Sequence, residues 1–552
     1  MASTMLTLLN AQDMRRFYAD GHWRDDTIYS LVADNARKTP NKVALRDRQR
    51  AISYGELVAC VDALAGDLHR NGVKAGERVA VWLPSRLETA VALLACSRNG
   101  YVCCPSLHRD HTVGEIRDLM IRMRASALIT EHGYGADAHK ADIFKELDAI
   151  KSLRVVYGLQ PLKADETKLS YSNLSGTPPE MRTDPNTIVY LAFTSGTTGI
   201  PKGVMHSDNT LLANARALSA DWSLLDDSVV YSMSPLSHNL GFGACGMTLI
   251  RGGEFIVHDL PRGGSLVDRI IDTGTTFIIG VPTHAIDLLS EIRTRGLKQL
   301  GKVKGFRISG ASVPPSVAAG LLDHGVVPQS GYGMTEAGSH HYTVPSDDAQ
   351  TICETSGRAC SGYEVKIFSQ EDPDKELPAG ETGQIGGRGA SLMLGYFDDQ
   401  EATESSFNRS GWFMTGDLGW MDEKGYLRIT GRKKDVIIRG GHNIYPARIE
   451  ALAMRHALID KAAALPVADE RLGEKVCLAV VLRQQEGLSP EALLHHLDDA
   501  GLSRFDMPEF VLMLDKMPLT PSGKILKRDL VSGVAEGKLA PIPVRFKPKA
   551  VA

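Results

Sequence analysis

Cysteine is scarce: eight residues in a chain of 552, with no Cys-x-x-Cys pair. Cys60, Cys96, Cys103, Cys104, Cys245, Cys353, Cys360 and Cys477 sit among apolar or small neighbours. That argues against a disulfide-stapled scaffold or a cysteine-zinc module and predicts reduced, mostly buried thiols. Neither sign of charge is in excess. The 62 Lys and Arg against 66 Asp and Glu leave a formal charge of −4, too little to gather nucleic acid or anionic lipid. No long apolar run is present, and the start "MASTMLTLLNAQDMRRF" has no basic stretch before its brief apolar patch. A stable membrane insertion is therefore not expected, and a cytoplasmic protein is. Internal repeats and low-complexity segments are missing too.

What is present is an ordinary globular balance, 43% hydrophobic and 23% charged, over a length that calls for more than one core. The first 180 or so residues alternate helix-like and strand-like stretches. "SYGELVACVDALAGDLHRNGV" has helical spacing and stops at Asn71-Gly72, "ERVAVWLP" reads as a strand, and "ETAVALLACSRNG" returns to helix. Later units repeat the theme in "TTFIIGVP", "THAIDLLSEIRTRG" and "VKGFRISG". Such βα alternation predicts an α/β fold with parallel strands in layered subdomains. From about Gly362 shorter strands and turn-rich joints suggest a small β-barrel-like subdomain. Beyond "TGRKKD" an α+β pattern follows, with Pro446 opening one helix and Ser489-Pro490 another. The expected division is a large N-terminal body over 1–431 and a small, mobile C-terminal domain over 432–552.

The most informative stretch is "LAFTSGTTGIPKGVMHS", Leu191 to Ser207. A strand should lead into a turn of glycines and hydroxyls, and Ser207 should cap a helix carrying Leu211, Leu212, Ala215 and Leu218. Free backbone N–H groups, the hydroxyls of Thr194, Ser195, Thr197 and Thr198, and the Lys202 ammonium could surround an anion. Gly196 and Gly199 would let the backbone curl close to it. The same composition also makes ordinary solvated turns. It is not a Walker loop, because Pro201 precedes the lysine and Gly203 stands where a Ser/Thr would hold magnesium.

With further motifs in matching order, "TSGTTGIPKG" resembles the signature loop of the adenylate-forming superfamily: acyl-CoA ligases, peptide-synthetase adenylation domains and firefly luciferase. The resemblance runs over about residues 30 to 535. It implies that Thr194 to Gly199 and Lys202 cradle the β- and γ-phosphates of ATP. "RISGASVPP" implies that Gly310, Ala311 and Ser312 border adenine and the acyl carboxylate. "GYGMTE" implies Tyr332 against adenine, Thr335 on the α-phosphate and Glu336 on Mg²⁺. "FMTGD" implies Asp417 on the ribose hydroxyls, and "GRKKD" implies Arg432 on the ribose and phosphate side with a hinge at Lys434. "PLTPSGKILKRDL" implies Lys524 as the adenylation lysine, and "RGGHNIYPARIE" implies a pantetheine passage at Gly440 and Gly441.

The implied reaction joins a carboxylate to ATP, releases pyrophosphate, and passes the acyl group to the thiol of coenzyme A, leaving AMP. Such a chain is an AMP-forming acid–thiol ligase. His238 matches the position that gates the acyl pocket toward the thiol. Asn239, Phe242, Ala244, Val281, Gly331, Gly333 and Met334 would line that pocket. They are mostly apolar or small, and no nearby arginine suggests a second carboxylate, so a dicarboxylic acid is not expected. A compact apolar acid is expected: alicyclic, aromatic, or short to medium aliphatic. Taken whole, the chain looks most similar to cyclohexanecarboxylate-type CoA ligases and short- to medium-chain acyl-CoA synthetases. His238-Asn239 also resembles stand-alone dihydroxybenzoate-activating enzymes, but Ala244 replaces their serine. Two alternatives stay open: a stand-alone ligase that loads a carrier-protein thiol, and a luciferase-branch monooxygenase.

Overall fold

The computed structural model describes residues 11–163, 165–194, 201–261, 263–310, 313–440, 442–483, 487–519 and 525–547. The chain divides into two compact units, one of 1–365 with 387–413 and one of 366–386 with 414–552.

In the first unit two sheets are flanked by helices, as the βα alternation predicts. The six-stranded sheet runs Val155–Leu159, Ala125–Glu131, Arg78–Trp82, Val102–Cys104, Ile188–Thr194, Lys202–Ser207. Its inner pairs are parallel, and the last pair is antiparallel. The nine-stranded sheet runs Arg358–Ala359, Gly338–Tyr342, Val327–Met334, Gly305–Ser309, Phe277–Gly280, Val229–Ser232, Glu254–Val257, Val43–Arg46, Ala51–Ser53. Local signals set the helix ends. Ser53 and Glu56 form a capping box at the start of helix Tyr54–Arg70, which ends at Asn71. Helix Leu87–Asn99 is buried along its whole length and ends at Gly100 in the left-handed region.

Burying that helix all round requires its one acid to be matched. Glu88 lies between Arg50 (2.8 Å) and Arg86 (3.0 Å), and all three side chains are almost fully buried. Asp47 and Glu131 complete the network at 2.7 Å from Arg50 and Arg86 respectively. Burial pushes the Glu88 carboxyl up, but the two guanidinium groups outweigh it and hold it down at about 2.

The nine-stranded sheet has two different faces. Phe306 and Ile308 pack with Val267, Ile270, Leu288 and Leu321 from helices on one side. Phe277, Ile279 and Tyr342 pack with Phe242, Cys245 and Met247 of helix Asn239–Ile250 on the other.

The second unit holds most of a four-stranded sheet in the order Tyr363–Phe368, Gly383–Gly389, Phe413–Met421, Leu427–Arg432. This sheet stands where the sequence suggests a small β-barrel-like subdomain. A six-stranded sheet follows, with Gly473–Leu482 pairing Ile459–Asp469 antiparallel and Phe510–Leu514 parallel. Pro446–Ala453 and Pro490–Asp499 are helices that begin on their prolines, the second capped by Ser489.

Candidate functional site

The phosphate-loop residues Ser195 to Gly199 lie outside the described residues, as do Ala311, Ser312, Gly441 and Lys524. The flanks of the loop are described, and they correct one expectation. Lys202–Ser207 is a strand that pairs antiparallel with Ile188–Thr194, with Thr194 opposite Lys202. The loop thus joins two strands, and helix Asp208–Asp221 begins only after the second, capped by Ser207 as expected. The helix N-terminus therefore does not follow the loop directly. The return strand forms because its outer edge has its own partner: Phe397 N–H donates to Gly203 O (2.7 Å), Leu394 N–H to Met205 O (2.8 Å) and Met205 N–H to Gly395 O (3.1 Å).

That partner segment also grips the "GYGMTE" turn. Met393 N–H donates to Glu336 O (2.6 Å), and the Ser391 hydroxyl donates to Ala337 O (2.9 Å). Between these anchors stands Tyr396. Its hydroxyl donates to Glu336 Oε1 at 2.9 Å, and the Lys202 ammonium lies 4.7 Å from the centre of its ring. A phenol donating to a carboxylate and a cation over an aromatic face are both favourable. Burial and the neighbouring Glu336 charge keep the phenol protonated, so it remains a donor. Lys202 and Glu336, 134 positions apart by number, are thus tied through one side chain.

His206 supports the same turn. Its Nε2 lies 2.7 Å from Thr335 O, and its Nδ1 3.0 Å from Thr210 Oγ1. A carbonyl only accepts, so Nε2 carries the proton, and burial lowers the ring to about 4, leaving it neutral. Gly333 is required for close approach, since a Cβ there would stand 2.2 Å from Gly338 O. Tyr332 is buried and edge-on to His340, with ring centres 5.0 Å apart. Gly310 has φ 96°, a left-handed conformation that favours glycine at the end of strand Gly305–Ser309.

His238 caps helix Asn239–Ile250, with Nδ1 accepting from Leu240 N–H (3.3 Å). Its ring lies 6.4 Å from that of His108, whose Nδ1 is 3.1 Å from Ser237 Oγ. Phe242 and Ala244 are buried in this helix, with the Phe242 ring 4.4 Å from that of Tyr190. Val281 is buried just before helix Pro282–Thr294, and Gly331 and Met334 lie in strand Val327–Met334.

In the second unit Asp417 and Arg432 stand opposite each other on antiparallel strands. Arg432 Nε is 3.1 Å from Asp417 Oδ1, so the carboxylate is largely buried beside a cation that is half exposed. Lys434 lies inside this unit, in the short turn Lys433–Asp435. Gly440 has φ 58°, and its N–H donates to Leu472 O (2.7 Å).

Sequence reasoning missed Tyr396 and His206. The stretch "LGYFDDQ" offered only a glycine-flanked aromatic, and nothing local reveals that a strand pairing brings it to Lys202.

Residues 32–397 match the AMP-binding enzyme family, and residues 448–524 match the AMP-binding enzyme C-terminal domain. The chain belongs to the AMP-binding enzymes. Among its AMP-binding relatives is the medium-chain fatty-acid–CoA ligase of Escherichia coli K12, 30% identical over 95% of this chain and 94% of that one. Feruloyl-CoA synthase of an Amycolatopsis species is 31% identical over 92% of this chain and 99% of the other. The crystal structure of ATP-bound MatB from Rhodopseudomonas palustris superposes with a TM-score of 0.81, at 28% identity, over 92% of this chain and 98% of that one. The named relatives are acid–thiol ligases, and acyl-CoA ligases use ATP, Mg²⁺ and CoA. No helix among the described residues is long and apolar enough to cross a membrane.

The donor set of this AMP-binding enzyme suits a hard cation that is held largely by its nucleotide. Among the described residues no group of three or more His, Cys, Asp or Glu could enclose a metal. Glu336 offers a carboxylate beside Lys202, in keeping with the use of one or two carboxylates plus phosphates for Mg²⁺.

Proposed function

We propose that this protein is an AMP-forming acyl-CoA synthetase. It converts a compact, largely apolar carboxylic acid to its adenylate and then to its CoA thioester. The observation that carries this reading is the link Lys202–Tyr396–Glu336, which presents an ammonium and a carboxylate at the base of a loop that matches the family's phosphate cradle. Both reactants are anionic, so charge neutralisation and positioning dominate the first step. Thr194 to Gly199 and Lys202 hold the departing pyrophosphate, and Thr335 orients the α-phosphate. Glu336 holds Mg²⁺, which neutralises phosphate charge when bound. Tyr332, Gly310, Ala311 and Ser312 seat the adenine. Asp417, held beside Arg432, accepts from the ribose hydroxyls. Lys524 bridges the carboxylate and the α-phosphate.

For the thiol step, Lys434 is the pivot between the domain of 1–431 and that of 432–552, and Gly440 and Gly441 leave room for pantetheine. His238, fixed by its cap, gates the pocket formed with Asn239, Phe242, Ala244, Val281, Gly331, Gly333 and Met334. Lys434→Pro should slow thioester formation from preformed adenylate about tenfold more than it slows adenylation; equal effects in single-turnover assays would exclude the pivot.

Relatives named for medium-chain, feruloyl, salicylyl and indoleacetate substrates support a ring-sized or medium-chain acid. The test of the whole reading is pyrophosphate release over a panel of acids, with CoA, with a carrier protein, and with neither. Thioester with free CoA is expected, and thioester only with carrier would favour the stand-alone ligase. A cytoplasmic location is part of this proposal, and cell fractionation checks it.

Tyr396→Phe keeps the ring under Lys202 and removes only the donor to Glu336. Losing a hydrogen bond to a charged group costs about 1.5 to 3 kcal/mol, or about 10- to 10²-fold. The expected result is a rise of that order in the Mg²⁺ concentration needed for half-maximal adenylation. Metal-free ATP binding, measured by calorimetry, should change little. An unchanged Mg²⁺ requirement would remove Tyr396 from this role.

A further inference from the structure

The face of the nine-stranded sheet that packs against helix Asn239–Ile250 is not apolar throughout. In the nine-stranded sheet Arg307 is the register partner of Gln329, and Ser309 that of Gly331, so these residues share a face. It is opposite to the face on which Phe306 and Ile308 pack, and it is shared with Tyr342 and the side chains of helix Asn239–Ile250. Arg307 is 6% exposed and Gln329 fully buried. Among the described residues Arg307 has no carboxylate partner and its Nε no hydrogen bond, while both amide atoms of Gln329 are unbonded. Tyr342 is engaged elsewhere, donating to Asp221 Oδ2 at 2.8 Å. Burial pulls the guanidinium down to about 10, which still leaves it charged at neutral pH.

A buried cation without a partner costs several kcal/mol, and folded proteins do not keep one without use. Ordered water would satisfy its N–H groups and leave the charge uncompensated. At Gly331, the register partner of Ser309 on the same face, an added Cβ would make only ordinary van der Waals contacts, none nearer than 3.7 Å, so no side chain crowds that end of the face. Arg307 precedes Gly310 by three residues, about 10 Å along a strand, roughly the length of a ring-sized acid. The geometry points to Arg307, with Gln329 beside it, as the anchor for an acceptor oxygen, a second carboxylate or a carbonyl, at the end of the acid remote from the reacting carboxyl. This rests on the acyl-CoA synthetase reading and narrows it. The expectation from sequence that no arginine serves the pocket holds only along the chain, because the sheet brings Arg307 under the helix.

The test uses matched acids that differ in one distal group: benzoate against terephthalate, cyclohexanecarboxylate against its 4-oxo derivative, hexanoate against adipate. The wild-type protein should favour one oxygenated member by about 10²-fold or more in kcat/KM, since a site with unpaired polar groups rejects an analogue that leaves them so. In Arg307→Met that ratio should collapse to within about threefold of one. The ligand-free variant should also melt higher than wild type, because an unpaired buried charge has gone. Activation of the plain acids with no preference in the wild type overturns the inference while leaving the ligase reading intact. A variant that melts lower or fails to fold assigns Arg307 to the scaffold and overturns it as well. If the wild type activates no acid at all, the ligase reading itself falls.

Discussion

Lys524→Ala is expected to cut adenylate formation by at least about 10²- to 10³-fold, while thioester formation from preformed adenylate stays within a few-fold of wild type. The size follows from the charges that must meet. A carboxylate attacks an α-phosphate that carries its own negative charge, and one preorganised donor at such a point is worth roughly 3 to 4 kcal/mol. A point charge on a flexible stem suits this duty, because it can enter for one step and leave for the next. The asymmetry between the half-reactions is the discriminating result. Single-turnover measurement of AMP formation and of thioester formation separates them, and equal losses would show that the lysine supports folding or binding in general.

The second large effect concerns stability. Glu88→Gln should lower the midpoint of thermal unfolding of the first unit by about 5 °C at pH 7, for a loss of about 3 kcal/mol. Glutamine fits the space but leaves Arg50 and Arg86 with one carboxylate fewer in a nearly dry site. The pH dependence has a definite sign. The Glu88 carboxyl is held at about 2 in the folded protein against 4.5 when unperturbed. Its contribution is complete above about pH 4.5 and is lost as pH falls toward 2. The gap between wild type and variant should therefore be full at pH 7 and narrow below about pH 4.5. Scans at one fixed rate check this, because a chain of two units need not unfold in one step. Matching midpoints at pH 7 would show that the network is dispensable.

How much of this was legible depended on whether the cause was local. Helix Tyr54–Arg70 could be read because Ser53, Glu56 and Asn71-Gly72 mark its ends within the sequence itself. The motif residues could be proposed because their spacing is a family property. The return strand Lys202–Ser207 could not, since residues 394–397 supply the partner for its second edge. Arg307 was the least legible. One charged residue in "GFRISG" reads as solvent-facing, and only the order of nine strands places it against a buried helix. Where chemistry depends on which strands become neighbours, composition and period are silent.

The scarce cysteines have a consequence for an enzyme whose second substrate is itself a thiol. Of the eight, seven are buried and Cys353 is half-buried. Burial pushes the Cys60, Cys360 and Cys477 thiols up to about 12 and raises Cys103, Cys104, Cys245 and Cys353 as well. A protonated, enclosed sulfur neither attacks a thioester nor exchanges with a disulfide. The acyl group therefore has no side chain of this kind on which to strand itself. A single cysteine introduced at the surface would then be the selective attachment point on the protein for a reporter, provided that labelling is finished before coenzyme A is added.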